Sequence, residues 1–471
     1  MSKLDQRLPN AQEKPPFKSW TDHAREDRGT VSPHLFERGD DLGPAETFRV
    51  STKNYLSREV HEHEVEHLWT KVWQWACRSN DISEVGDFVE YEIVGRSVII
   101  VRDTPTTIKA FRNACRHRGR SLVSGCGHVA GFYCPYHGWK YGLDGRLQHI
   151  PAAWEFPHFD RTGLRPVQVD EFNGNVFINL DDNAPPLKDH LGETLMRHLS
   201  VYPDTRMHKT WHFGVVVESN WKVMAEAFFE TYHIPATHPT IFLGAGDVQS
   251  QNDVFGLHHR LCAVALTRPV TVDVDPTEQE ILDTILQASR GFVQIPGSDD
   301  AVPSLTLPPG MTAREFMADT ARAEWKSKGL DLSHVSDAEM LDSIWYLVFP
   351  NFAHFVGPGG HIYYRFRPNG DDHTSMIYEI MNLTPVPGDG PMPPDAPMHM
   401  VARGQTLATD PVSLDKMGEP LALLIDEDVS NSAGVQKGMR VADEVVLGTS
   451  IEPNIVGFHR NLEKWVKDRA G

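Results

Sequence analysis

Hydrophobic positions first fall into a clear register at Ser57–Trp73, where Val65, Leu68, Trp69 and Val72 recur at helical spacing. From Asp87 the period shortens. Phe88–Val94 and Ser97–Val101 have strand character, with Gly95-Arg96 as the turn between them. Short apolar runs, glycines and turn signals continue to about residue 165 and predict a small all-β module. Two more strand-like runs, Asn175–Asn179 and Phe213–Val217, precede a helical stretch that starts near Trp221. Residues 270–345 mix Pro-Gly loops with charged helical pieces such as Ala313–Gly329. Ile362–Phe366 and Met376–Ile380 return to strand character, Pro385–Pro397 is a loop, and 419–437 and 454–468 read as terminal helices. Residues 1–45, polar and rich in Pro and Gly, read as an extended arm. There is no internal repeat. The expectation is an α+β chain with an arm (1–45), a small all-β domain (46–165) and a larger domain (166–471).

A chain of 471 residues is long enough for two buried cores. The formal net charge of -19 makes it a poor general ligand for nucleic acid, whose backbone demands Lys and Arg. No apolar run reaches the length of a membrane span, and the polar N-terminal stretch does not read as a secretory signal. Five cysteines are too few and too scattered for a disulfide framework, so a reducing cytoplasm is the expected location.

The strongest chemical signal is Cys115-Arg-His117, sixteen residues, then Cys134-Pro-Tyr-His137. Each half offers one thiolate and one imidazole. Two such halves can hold a [2Fe–2S] cluster, with the cysteines on one iron and the histidines on the other. A zinc site uses the same ligand types, but a zinc finger pairs Cys with Cys and His with His along the sequence, and here each half is mixed. Gly119, Gly125, Gly127 and Gly138 permit tight loops, and Trp139 and Tyr141 can pack over them. Cys126 has no matched partner and reads as a buried thiol.

A second constellation lies in Asn220–His238. Read as one helix from Trp221, Glu226, Glu230 and His233 fall on a single face, and Pro235 ends the run so that His238 can fold back towards His233. Two imidazoles and a carboxylate make the facial triad that leaves positions open on Fe(II). The carboxylate candidate is Asp428, on a helical stripe with Leu421, Leu424 and Val435, where a charge is costly unless paired or metal-bound; Asp426 and Glu427 are its neighbours. Phe228 and Phe229 can line a pocket or simply fill core. His61, His63 and His67, interleaved with glutamates, read as a solvated charged face rather than a metal site.

Cys115-Arg-His117-Arg-Gly119 and Cys134-Pro-Tyr-His137-Gly-Trp139 resemble the two loops of the Rieske domain of ring-hydroxylating oxygenases. Rieske electron carriers share those loops. The Asn220–His238 string and the Asp426–Met439 segment are similar to the mononuclear-iron motifs of the oxygenase alpha subunits, with Ala227 where that family often has Asn. The resemblance implies a helix-grip catalytic domain, a Rieske [2Fe–2S] cluster on Cys115, His117, Cys134 and His137, and mononuclear Fe(II) on His233, His238 and Asp428. It implies that Glu230 bridges a neighbouring subunit's cluster to the iron, in a homotrimer favoured over an assembly with a beta subunit. With no dinucleotide fingerprint in the chain, electrons are expected from a reductase, with or without a ferredoxin. The expected reaction is O2-dependent hydroxylation of an aromatic or largely apolar substrate, with 245–415 building most of its pocket. O- or N-dealkylation is the alternative, and a non-catalytic Rieske carrier is the reading from another class.

Overall fold

The computed structural model describes residues 16–40, 47–202, 204–288, 305–448 and 450–470. Strand β1 (Phe48–Ser51) is followed by ten strands of the N-terminal half: β2 (Gln74–Arg78), β3 (Asp87–Ile93), β4 (Arg96–Thr104), β5 (Thr107–Arg112), β6 (Cys126–His128), β7 (Phe132–Tyr133), β8 (Lys140–Tyr141), β9 (Leu147–His149), β10 (Pro166–Phe172) and β11 (Asn175–Asn179). Seven of them form one sheet in the order β2-β11-β10-β5-β4-β3-β6, and β7-β8-β9 form a second, small sheet. The period-2 alternation of β4 decides what each face covers. Val98 and Ile100 point into the main core, while Ile99 and Val101 join Phe111, Cys115, Phe132, Cys134, Trp139 and Tyr141 in a separate core under the cysteine loops. The sheet therefore joins the metal-binding loops to the rest of the molecule.

The first sheet runs past residue 165. β10 and β11 complete the first sheet, so the cut expected after residue 165 falls inside it and the sheet runs on to Asn179. At the other end, β1 pairs with β20 (Glu444–Leu447), and Trp69 packs edge-on against Trp221 with ring centroids 4.9 Å apart. The segment before β2 thus packs against the C-terminal half of the chain.

The larger half is an eight-stranded sheet of β12 (Met207–Val217), β13 (Ala245–Phe255), β14 (His258–Ala265), β15 (Ser343–Val348), β16 (Phe352–Phe355), β17 (His361–Asn369), β18 (Asp372–Pro385) and β19 (His399–Met400). Its order is β13-β14-β15-β16-β17-β18-β12-β19, antiparallel except where the short β19 runs parallel to β12. The helix Trp221–Ala227 lies on β17 and β18, and the long helix Glu419–Met439 packs over it. Trp221, Met224, Leu421, Leu424 and Ile425 share one core with Tyr364, Phe366 and Tyr378. A sheet closed over a long helix is the expected helix-grip arrangement.

Two expectations about the N-terminal region are corrected. The described part of the arm is not simply extended. Ser19 and Asp22 form a reciprocal cap that starts the helix Trp20–Glu26, and Trp20 is fully buried, donating from Nε1 to Asp342 at 2.8 Å. Residues 1–15 and 41–46 lie outside the described residues. The predicted helix at Ser57 begins there, with Ser57 capping Val60, but passes into a π turn at Val65–Trp69. Its face is not wholly solvated either. His61 and Glu64 are buried, and Glu64 accepts from Lys222 Nζ at 2.5 Å.

Candidate active site: a cluster-binding tip and a two-histidine, one-carboxylate centre

The loops after β5 and β7 present the four cluster candidates. Each loop closes on a left-handed glycine. Gly119 (φ 76°) donates to Cys115 O and Gly138 (φ 75°) to Cys134 O, a geometry a Cβ would strain. Cys115 and Cys134 are buried, whereas His117 is half-buried and His137 exposed. The Nδ1 atoms of His117 and His137 approach to 3.1 Å. Two thiols inside and two converging imidazoles outside match the split ligand set of a Rieske cluster. Trp139 stacks on His117 with planes 4° apart, and the Tyr141 hydroxyl lies 3.3 Å from Cys115 Sγ. Burial, then the neighbouring His137 and Arg118, lower the His117 pKa and favour the neutral ring that a metal requires. Cys126 is exposed on β6, not the buried thiol that its lack of a matched partner suggested.

The second centre is built differently from the single helical face read in the sequence. The helix capped by Asn220, whose side chain accepts from Lys222 N, ends at Ala227 because Phe228 leaves helical geometry. Glu226 consequently points away from the centre and accepts from His459 Nε2 and Tyr55 Oη at 2.8 and 3.1 Å. Glu230 and His233 sit on the turn that follows. Pro235 does not end a helix; it occupies the start of the short turn Ile234–Thr237, where its missing N–H is tolerated.

The triad nonetheless converges. His238 Nε2 lies 3.0 Å, and His233 Nε2 3.7 Å, from Asp428 Oδ1. One donor atom from each residue lies within 4.8 Å of the others, as binding to a single ion requires. Each imidazole is oriented from behind by a carboxylate, His233 Nδ1 by Glu230 at 2.7 Å and His238 Nδ1 by Glu427 at 2.8 Å. An Nδ1–H held by a carboxylate fixes the tautomer that leaves Nε2 free to ligate. Burial works to lower the His233 pKa, but the Glu230 and Asp428 carboxylates outweigh it and hold it at about 9. The centre thus attracts positive charge, and a metal ion would take the place of that proton.

Asp426 is excluded from this centre, because it accepts the backbone N–H groups of Leu407 and Ala408. Glu427, named in the sequence only as a neighbour, proves to orient His238. Val435 is exposed and falls off the stripe; the buried face continues through Ser432, Gln436 and Met439 instead.

A cavity of about 250 Å³ opens on the triad. Phe228, Leu266, Trp325, Trp345, Phe355 and Tyr364 are among the apolar residues of its wall, and most lining residues fall within 245–415. No Lys or Arg is among the described lining residues. Phe228 therefore lines the pocket, while Phe229 is core, against Phe458 and His259. The sequence carried no motif for Trp325, Trp345 or Tyr364.

Two family models match this chain. Residues 72–160 match the Rieske [2Fe-2S] domain, and residues 194–468 match the ring hydroxylating alpha subunit (catalytic domain). The chain belongs to the family of ring-hydroxylating alpha subunits, whose two domains carry a Rieske cluster and a mononuclear iron. It is 34% identical over 200 residues to the carnitine monooxygenase oxygenase subunit of Escherichia coli K12, a match covering 42% of this chain and 54% of that protein. It is 34% identical over 197 residues to the large oxygenase component of the naphthalene 1,2-dioxygenase system of Pseudomonas putida, covering 38% and 42%. The chain thus matches about half the length of these relatives. Among solved structures, a quaternary ammonium Rieske monooxygenase superposes with a TM-score of 0.63 at 18% identity, over 93% of this chain and 99% of that one. A naphthalene 1,2-dioxygenase bound to phenanthrene gives 0.60 at 19%, over 89% and 92%. Both likenesses concern the fold. No described helix is long and apolar enough to cross a membrane.

Proposed function

We propose that this chain is a terminal oxygenase that takes electrons through a cluster on Cys115, His117, Cys134 and His137 and oxidises a largely apolar organic substrate at Fe(II) on His233, His238 and Asp428. The observation that carries the reading is the convergence of three donor atoms at the wall of an apolar cavity. Iron bound there supplies open positions at which dioxygen is activated. The chain's own residues do the rest. Glu230 and Glu427 hold the Nδ1 protons and keep both imidazoles aimed. Phe228, Trp345 and Tyr364 exclude water and position the substrate by contact. Glu230, at the outer edge of His233, is the residue through which a neighbouring subunit's cluster would reach the iron in a homotrimer. A reductase, with or without a ferredoxin, is the electron donor, and the cytoplasm is the expected location.

The lack of Lys or Arg among the described lining residues favours an uncharged aromatic or aliphatic substrate over a carboxylated one, because a buried carboxylate without a partner is costly. N-dealkylation is the second reading. It is favoured by the aromatic faces of Trp325, Trp345 and Tyr364, which can hold an alkylated ammonium, and by the likeness to a carnitine monooxygenase.

Single-turnover incubation of the reduced protein with a panel of arenes and alkylamines, read by mass spectrometry, separates the two readings. A product that gains two oxygens and two hydrogens means dihydroxylation; gain of one oxygen or loss of an alkyl group means the monooxygenase branch. Metal content tests the class, since cluster plus triad bind about three irons per chain and a carrier only about two. Asp428→Ala should abolish turnover and lose the third iron with the cluster spectrum intact. Activity surviving that change would refute Asp428 as ligand.

A further inference from the structure

We propose that Asp204, His354 and His361 form a second metal site, for a zinc-type divalent ion, where the two halves of the chain meet. One donor atom from each of the three lies within 4.8 Å of the others, as in the iron triad. The spacings are similar too. Asp204 Oδ2 is 2.7 Å from His354 Nε2, and Oδ1 is 3.6 Å from His361 Nε2, against 3.0 and 3.7 Å around Asp428. Asp204 and His354 are each 1% exposed and His361 8%.

The proton positions argue for a cation. His361 Nδ1 lies 3.3 Å from Gly359 O, and a carbonyl only accepts, so that nitrogen carries the ring proton. Its Nε2 is then a bare lone pair, without a hydrogen-bond partner, facing a carboxylate oxygen. Lone pair against anion in a buried place is repulsive unless a positive ion lies between them. An imidazole whose Nδ1–H is held by a backbone carbonyl is also the usual arrangement of a metal-ligating histidine.

The surroundings fit. The Tyr363 hydroxyl donates to Asp204 and stands 2.7 Å from His354 Nε2, in reach as a fourth oxygen. Asn175 on β11 donates to Asp204 Oδ2 at 2.8 Å and orients the carboxylate. Among the described residues no Lys or Arg pairs with that carboxylate. Arg78 donates instead to the main-chain oxygens of Asp204 and Met207 and to Asp395. Two imidazoles and one carboxylate suit zinc, which takes nitrogen and oxygen ligands tetrahedrally and leaves a fourth position beside the Tyr363 hydroxyl for a neutral oxygen ligand. The 2.7 Å His354–Asp204 contact is a hydrogen bond, so metal entry would replace it and widen the pair slightly. The ion would join residue 204, ahead of β12, to both ends of the β16–β17 hairpin. The turn of that hairpin, with Val356, Gly357 and Gly359, lines the substrate cavity.

The test is zinc stoichiometry in the full-length, cluster-loaded protein after equilibration with Zn(II) and desalting, read by plasma mass spectrometry. Zinc could also enter the iron triad, so the measurement is made in a His233→Ala/His238→Ala background. That protein should keep about one zinc per chain, and adding His354→Gln or His361→Gln should reduce it at least about tenfold. Absence of zinc from the background protein, or zinc undiminished by the added changes, overturns the proposal. Should the added variants lose the cluster spectrum and so fail to fold, crystals of the unaltered protein soaked in Zn(II) decide. A zinc anomalous peak between Asp204, His354 and His361 supports the site, and its absence overturns it.

Discussion

Replacing Tyr141 with phenylalanine should lower the reduction potential of the cluster. The Tyr141 hydroxyl accepts the Arg116 backbone N–H at 3.0 Å. Its own proton is therefore directed elsewhere, and Cys115 Sγ, 3.3 Å away, is the acceptor in reach. Burial, then the bond to Cys115, raise the Tyr141 pKa, so the group stays a neutral donor. An O–H···S bond stabilises negative charge on sulfur, and reduction adds such charge; the bond thus favours the reduced cluster. A hydrogen bond to a charged group contributes about 1.5–3 kcal/mol. If a third to a half of that depends on redox state, the loss is about 0.5–1.5 kcal/mol, or roughly 20–60 mV for one electron at 59 mV per tenfold. Packing should survive, because the ring sits in the core with Phe132 and Trp139 and loses only its oxygen. A redox titration followed by visible circular dichroism measures the shift, with cluster content checked by absorbance. An unchanged or raised potential at full cluster content would refute the assignment of the hydroxyl proton to sulfur.

Glu427→Gln keeps a contact to His238 Nδ1 but removes the charge that orients it, and should weaken iron binding by about 10- to 100-fold, measured by chelator competition with the cluster spectrum as control. Lys222→Met leaves Glu64 buried with only the Trp221 indole N–H at 3.2 Å, and should destabilise the fold by roughly 3–5 kcal/mol in urea unfolding. Pairing it with Glu64→Leu should restore most of that loss; no restoration would mean the ion pair is not the cause. Arg197, then His198, hold the Glu37 carboxyl at about 2, below its ordinary 4.5. A depressed carboxyl contributes stability above its unfolded value and loses it as pH falls towards 2. The arm around Pro33–Phe36 should therefore become open to an acid-active protease near pH 3 while resisting it at pH 6.

What the sequence disclosed was chemistry held in short, unusual spacings. The mixed Cys/His halves stood out because each loop offers one thiolate and one imidazole, an order that favours a Rieske cluster over a zinc finger. His233 and His238 were legible because a proline between them forces a turn, although that turn is a new helical start rather than a stop. Asp428 stood out as a candidate because a carboxylate on an apolar helix face demands a partner, and its Oδ1 lies beside His238 Nε2. Glu226 was misplaced because nothing local marks the helix end at Ala227; the chain turns there as Phe228 packs on Tyr364 and Phe366 from distant strands. His61 and Cys126 failed in opposite directions for one reason: burial is decided by what packs on a residue, not by its own polarity. The cavity wall was illegible since aromatic residues 228, 325, 345 and 364 come from a helix end, a second helix and two strands far apart in the chain, and meet only in the tertiary fold.

The pairing of β1 with β20 has a consequence for how the protein is made. All strands of the cluster-binding sheet lie between Gln74 and Asn179, so this unit can close as soon as that stretch has emerged from the ribosome. β1 has to wait, because Arg49 and its partner Glu444 lie 395 residues apart. At about 5–20 residues per second that delay is roughly 20–80 s. Asp428 reaches His238 only near the end of the same interval. The nascent chain therefore passes through a stage in which every strand of the first sheet is available while Asp428 cannot yet meet His238, and the face of that sheet carrying Val98 and Ile100 still waits for its C-terminal cover.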